Sequence, residues 1–154
     1  MPDIRTISNS ILFADINRII DEGGKVTLRI KGHSMRPFLR NGRDDVVLNH
    51  IASEDIRQGM VVLFRHSKGH VLHRVRYIHG NTFIMKGDGN CRTAEHATAD
   101  DIIAYAEAVI RNGHTIAYRS LHWRLLTAYS LAIKIARTAC HDNIAHILNH
   151  GTQM

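Results

Sequence analysis

The sequence predicts a mainly β protein, a small coiled antiparallel β-structure with one helix before it and an amphipathic helix after it. Three observations predict this. Apolar and polar residues alternate with period two over residues 25–31. Short apolar runs then recur at close spacing as far as Tyr118, divided by turn signals rich in Gly and Asn. The last third changes to helical spacing.

The bulk composition bounds the rest. A chain of 154 residues can bury a real core as one domain, and 44% apolar with 22% charged residues argues against disorder. Lys and Arg outnumber Asp and Glu by 20 to 14, a formal charge of +6 that suits nucleic acid or an anionic membrane surface. Aromatic residues are only 6%, so no stacking platform for bases stands out, and no nucleic-acid partner is expected. Two cysteines, Cys91 and Cys140, make no disulfide framework and point to a reducing compartment. With no secretory signal and no 18-residue apolar run, the expected location is the cytoplasm.

In chain order, Ser8 or Ser10 caps a first helix. Leu12, Ile16, Ile19 and Ile20 stripe it, and Gly23-Gly24 ends it. In 25–31, Val26, Leu28 and Ile30 face one way and Lys25, Thr27, Arg29 and Lys31 the other, as in a half-buried strand. Asn41-Gly42 is a turn, and Val46-Val47-Leu48 a second strand. Ser53-Glu54-Asp55 opens a helical turn that stops at Gly59. Residues 60–64 are nearly all apolar, which suits a central strand. Turns at Ser67-Lys68-Gly69 and Gly80-Asn81 bound strands over 71–78 and 82–86. A strand over 102–110 meets a hairpin signal, Asn112-Gly113, and returns through 115–118. In the last third, Leu121, Leu125, Ala128, Tyr129, Ala132, Ile133 and Ala136 share a face flanked by Arg119, His122, Arg124, Lys134 and Arg137. Two placements are open for this helix: packed on the β-structure, or peripheral on a membrane surface through residues 119–139.

The chemistry starts at Gly32-His33-Ser34-Met35-Arg36-Pro37. Gly32 permits backbone geometry closed to other residues, and Pro37 restrains both itself and Arg36. Ser34 is therefore expected at a tight turn off the end of a strand. A serine hydroxyl is a poor nucleophile until a base takes its proton. His73, on a strand face with Val71, Val75 and Tyr77, is the candidate base. An imidazole with an unperturbed pKa of about 6.5 suits that work near neutrality. Asp88 lies between Gly87 and Gly89 in a loop directly after a strand, and is a candidate orienting carboxylate.

Four boxes now stand in order: G-x-S-M-x-P at 32–37, an apolar strand at 61–64, V-x-H-R-V at 71–75 and K-G-D-x-N at 86–90. This order strongly resembles the type I signal peptidase family, in its histidine-base branch. The wider superfamily includes the self-cleaving LexA-type repressors. The likeness covers roughly residues 26–110. It implies a LexA/signal-peptidase-type β-fold with Ser34 as nucleophile, His73 as general base and then acid, and Asp88 in the aspartate box. It also implies an extended peptide substrate, cut after small residues. The organisation is then an N-terminal helix over 1–24, a catalytic β-domain over 25–118 and a C-terminal helical extension over 119–154.

Three departures bear on the site. The histidine branch carries a further aspartate just past its G-D-x-N box, and residues 91–96 hold none. The orienting carboxylate is Asp88 or Glu95, with Asp88 preferred. Family members often place a serine, an oxyanion donor, where this chain has Gly32, so the oxyanion would rest on backbone N–H groups, chiefly that of Ser34. The apolar N-terminal anchor helix usual in the family is not expected here.

The expected activity is that of a serine endopeptidase processing a leader or signal-like segment, with possible contact at the inner membrane face. The alternatives are a non-catalytic peptide-binding module of the same fold and a self-cleaving LexA-like regulator. His66, His70, His73, His79, Cys91 and His96 lie near one another in sequence. The Gly69 turn interrupts them and no zinc spacing appears, so neither metal nor cofactor is expected.

Overall fold

The first helix, α1 (Asn9–Asp21), forms where apolar residues recur on one face, and it buries Ile16 and Ile20 against the sheet. Gly23, at φ +81°, stops it. The N–H groups of Gly23 and Gly24 bond back to the carbonyls of Ile20 and Ile19, closing two otherwise unpaired acceptors. In this computed structural model the described residues are 9–67, 69–90 and 93–150, with side chains described from 12 to 139 within them. Ser8, Lys68, Cys91 and the side chains of Ser10 and Cys140 lie outside the described residues.

Eight strands follow: β1 (Val26–Arg29), β2 (Asp44–Asn49), β3 (Val61–His66), β4 (Gly69–His79), β5 (Thr82–Lys86), β6 (Glu95–Thr98), β7 (Ile102–Arg111) and β8 (His114–Ala117). They form one antiparallel sheet in the order β1-β2-β7-β3-β4-β5-β6, with β8 paired to β7. The mainly β, antiparallel class with a helix at each end is therefore the observed one. Asn112 and Gly113, both at positive φ, make the tight hairpin between β7 and β8. Short 3₁₀ turns lie at Ser53–Asp55 and Ala99–Asp101.

β3 is central in the sense its apolar run predicted. Val61 and Leu63 enter one apolar cluster with Ile16, Ile20, Leu48, Val109 and Trp123. Val62 and Phe64 enter a second, with Val75, Phe83, Met85 and Ala97. The sheet thus buries side chains on both faces of its middle strand. Each such side chain removed from water contributes about 1.5–3 kcal/mol.

The second helix, α2 (Leu121–His150), begins where the Ser120 hydroxyl accepts from the Trp123 N–H at 3.1 Å. Of the two placements open for its apolar stripe, packing of that stripe on the β-structure is not the one observed. Trp123 and Ser130 are buried, whereas Leu121, Leu125 and Tyr129 face outward. Trp123 fixes this phase by packing edge-on to Phe38 and Tyr118, with ring centroids 5.0 and 5.5 Å away. Among the described residues no helix is long and apolar enough to cross a membrane.

Candidate active site

The connection from β1 to β2 carries Ser34. Ser34 is exposed, between Gly32 at φ +87° and the buried Met35. Gly32 is glycine for that backbone angle: a Cβ there would meet open space, but an L side chain rarely adopts the conformation. A turn closes from the Arg36 N–H to the His33 carbonyl at 3.1 Å, and the Arg36–Pro37 bond is cis. The far end of the connection is held by Asp44, which is fully buried. Asp44 accepts from Arg43, from Arg111 and from the Arg40 N–H at 2.8–3.0 Å, while Arg111 also donates to the Phe38 carbonyl at 2.8 Å. Burial pushes the Asp44 carboxyl up, but Arg43, Arg111 and the Arg40 N–H outweigh it and hold it at about 2.

His73 lies on β4 opposite Val62 and is only 4% exposed. Its Nδ1 is 2.9 Å from Oε2 of Glu95, on β6. A carboxylate accepting there leaves Nε2 as the ring's free lone pair. Nε2 is itself buried, with no hydrogen-bond partner among the described residues. Its neighbour is Gly87. A Cβ on Gly87 would stand 3.0 Å from Nε2 and would overlap the Ser34 carbonyl oxygen. Gly87 is thus wedged between the imidazole and the Ser34 backbone, where only a hydrogen fits. Gly89 donates its N–H to that same Ser34 carbonyl at 2.8 Å. Ser34 and His73, 39 positions apart, are brought together across this loop, without a hydrogen bond from the Ser34 hydroxyl to Nε2. Such bonds often tighten only when substrate arrives.

Asp88 stands elsewhere in the network. It is buried and receives both arms of Arg74, Nε at 2.9 Å and Nη2 at 2.6 Å. Arg76 adds a contact at 3.2 Å and the Ser130 hydroxyl one at 2.9 Å. Burial pushes this carboxyl up, and Arg74, Ser130 and Arg76 together bring it below the usual range. The carboxylate that meets His73 is that of Glu95, and the preferred reading of Asp88 as its orienting partner does not match this geometry. Asp88 instead ties the loop to the buried Arg74, whose guanidinium also lies 4.6 Å over the Phe38 ring and donates to the Gly59 carbonyl.

Sequence reasoning assigned no role to Arg74, Arg76, Ser130 or Lys134. Arg74 was visible as a cation within an apolar strand run, next to His73. Ser130 and Lys134 gave no signal. They lie on the inward side of α2, where Lys134 donates to the Gly87 carbonyl at 2.9 Å.

Beside Ser34 runs a cleft of about 160 Å³, lined by Ile30, Gly32, Met35, His70, Val71 and Leu72 among others. β5 pairs with β4 only from Arg74 onward, so among the described residues the β4 edge at 69–72 is unladdered on this side. Among the described residues β1 pairs with β2 alone, so its outer edge carries no ladder either. α1 closes one wall, because Phe13 stacks on His70 with centroids 3.8 Å apart. Burial, and then the Arg65 charge, press the His70 imidazole toward its neutral form. Among the described residues no group of three His, Cys, Asp or Glu side chains is placed to share a metal ion. Compared with known proteins, the chain matches no protein-family model and shows no significant match to a curated protein.

Proposed function

We propose that the protein is a serine endopeptidase of the signal-peptidase kind, cleaving a leader or signal-like segment of a peptide or protein. One observation carries the reading. His73 is bonded to Glu95 through Nδ1, and its Nε2, without a partner among the described residues, lies against Gly87, whose other side meets the Ser34 backbone. In this reading the Ser34 hydroxyl attacks the scissile carbonyl and passes its proton to Nε2. The protonated imidazole, stabilised by Glu95, gives that proton to the leaving amine. Water then attacks the ester as Nε2 takes its proton, and Nε2 returns that proton to the Ser34 oxygen as the acid leaves. The oxyanion is received by backbone N–H groups, chiefly that of Ser34.

The two unladdered edges support an extended substrate, which would add as a strand beside β4 and β1. The small cleft beside Ser34 supports a preference for small side chains next to the cut. The proposed setting is the cytoplasm.

Incubation with a pool of leader-like peptides, read by mass spectrometry, tests the proposal. Cleavage at discrete sites after small residues is expected, and it should vanish in both Ser34→Ala and His73→Ala. Peptides left intact, or cut equally well by Ser34→Ala, would contradict it.

A further inference from the structure

The peptidase reading uses the inward side of α2 and leaves its outward side without a role. On that side Leu121, Leu125, Tyr129 and Ile135 are exposed, by 71%, 61%, 54% and 70%. Ala128, Ala132 and Ala136 are exposed between them, so the helix carries an apolar stripe along its described length. Contiguous exposed apolar surface of this kind marks a contact site.

The helix cannot roll to hide the stripe. Trp123 is packed into the core, Ser130 is bonded to Asp88 and Lys134 to the Gly87 carbonyl, and these hold the opposite side inward. The surrounding charge is of one sign. From Leu121 to Ala139 the helix contains no Asp or Glu, and Arg124, which borders the stripe, and the preceding Arg119 are exposed. A second copy of this chain on the same face would set arginine near arginine with no carboxylate on the stripe to offset them. Anionic lipid headgroups complement those cations, and the acyl boundary beneath accepts the leucines and isoleucine.

We propose that the outward face of α2 docks on an anionic bilayer, with the helix lying in the headgroup plane. The docking does not depend on peptide cleavage.

Co-sedimentation of the full chain with phosphatidylcholine vesicles, and with vesicles that also contain phosphatidylglycerol, tests it. Binding to the anionic vesicles is expected, with affinity falling about tenfold or more at high salt as headgroup attraction is screened. Leu125→Glu with Ile135→Glu should abolish it while circular dichroism stays unchanged, both sites being exposed. Ser34→Ala should bind like the parent protein, which separates docking from catalysis. Failure to bind either vesicle, or equal binding to both, would overturn the proposal. So would a dimer in solution that the same two substitutions dissociate.

Discussion

His73 has two ring nitrogens in unlike surroundings, and the difference defines what the ring can do. Nδ1 meets the Glu95 carboxylate at 2.9 Å, while Nε2 is buried beside Gly87 with no partner among the described residues. Glu95→Gln keeps the size of the side chain and removes the charge that would steady a protonated ring. We expect kcat on a cleavable peptide to fall by about 100-fold or more, with KM changed by less than about threefold. A kcat within about twofold of the parent would remove Glu95 from the mechanism. Ser34 and His73 were legible because each sits in a short box of restricted residues. The choice between Asp88 and Glu95 was not. It depends on Arg74, whose bond to Asp88 joins strand β4 to the 87–90 loop, and on the β5–β6 ladder that sets Glu95 opposite Met85. Neither relation leaves a trace in local sequence.

Between elements, the 87–90 loop and the 33–36 turn are in backbone contact. The Gly89 N–H donates to the Ser34 carbonyl, and a Cβ on Gly89 would crowd the His33 and Arg36 carbonyls at 2.9 and 3.0 Å. Gly87 is the tighter of the two, because its missing side chain leaves room for Ser34 and Nε2 together. Gly87→Ala should push the Ser34 turn away from His73. The expected result is loss of measurable cleavage together with a stability loss of about 1–3 kcal/mol by denaturant titration. Wild-type activity in that variant would show that the loop does not set the distance. The strand pattern itself was readable wherever period two or an apolar run met a turn signal, and 82–86 matches β5 residue for residue. β6 was missed because Glu95-His96-Ala97-Thr98 offers a single apolar residue and no alternation. The phase of α2 stayed open for a related reason. Its inward side includes Ser130 and Lys134, polar residues matched to the loop, and hydrophobicity alone does not reveal them.

Across the whole molecule, two buried aspartates brace the site from opposite ends. Asp88 joins the loop to β4 and α2, and Asp44 joins the end of the Ser34 connection to β7. Asp44 is held at about 2, against about 3.9 in an unfolded chain. The unfolded state therefore binds more protons between those values. The stabilisation is full above about pH 4 and is lost as pH falls toward 2, amounting to about 2 kcal/mol. Asp88, also depressed, acts in the same direction. Thermal melts from pH 7 to 2 should show Tm dropping most steeply below about pH 4. Asp44→Asn should begin lower, by about 3 kcal/mol at neutral pH, because Arg43 and Arg111 lose their counter-charge. It should then fall less steeply in the acid window. A variant with the parent's slope would place the acid sensitivity elsewhere.

The claim that Ser34 is activated by His73 is tested most directly by acylation. The folded protein is treated with a serine-directed acylating probe, and the adduct is located by peptide mass spectrometry. The account predicts a single dominant adduct on Ser34, formed at a rate that falls by about 100-fold or more in His73→Ala and absent in Ser34→Ala. No adduct on Ser34, or one formed equally fast without His73, would contradict it.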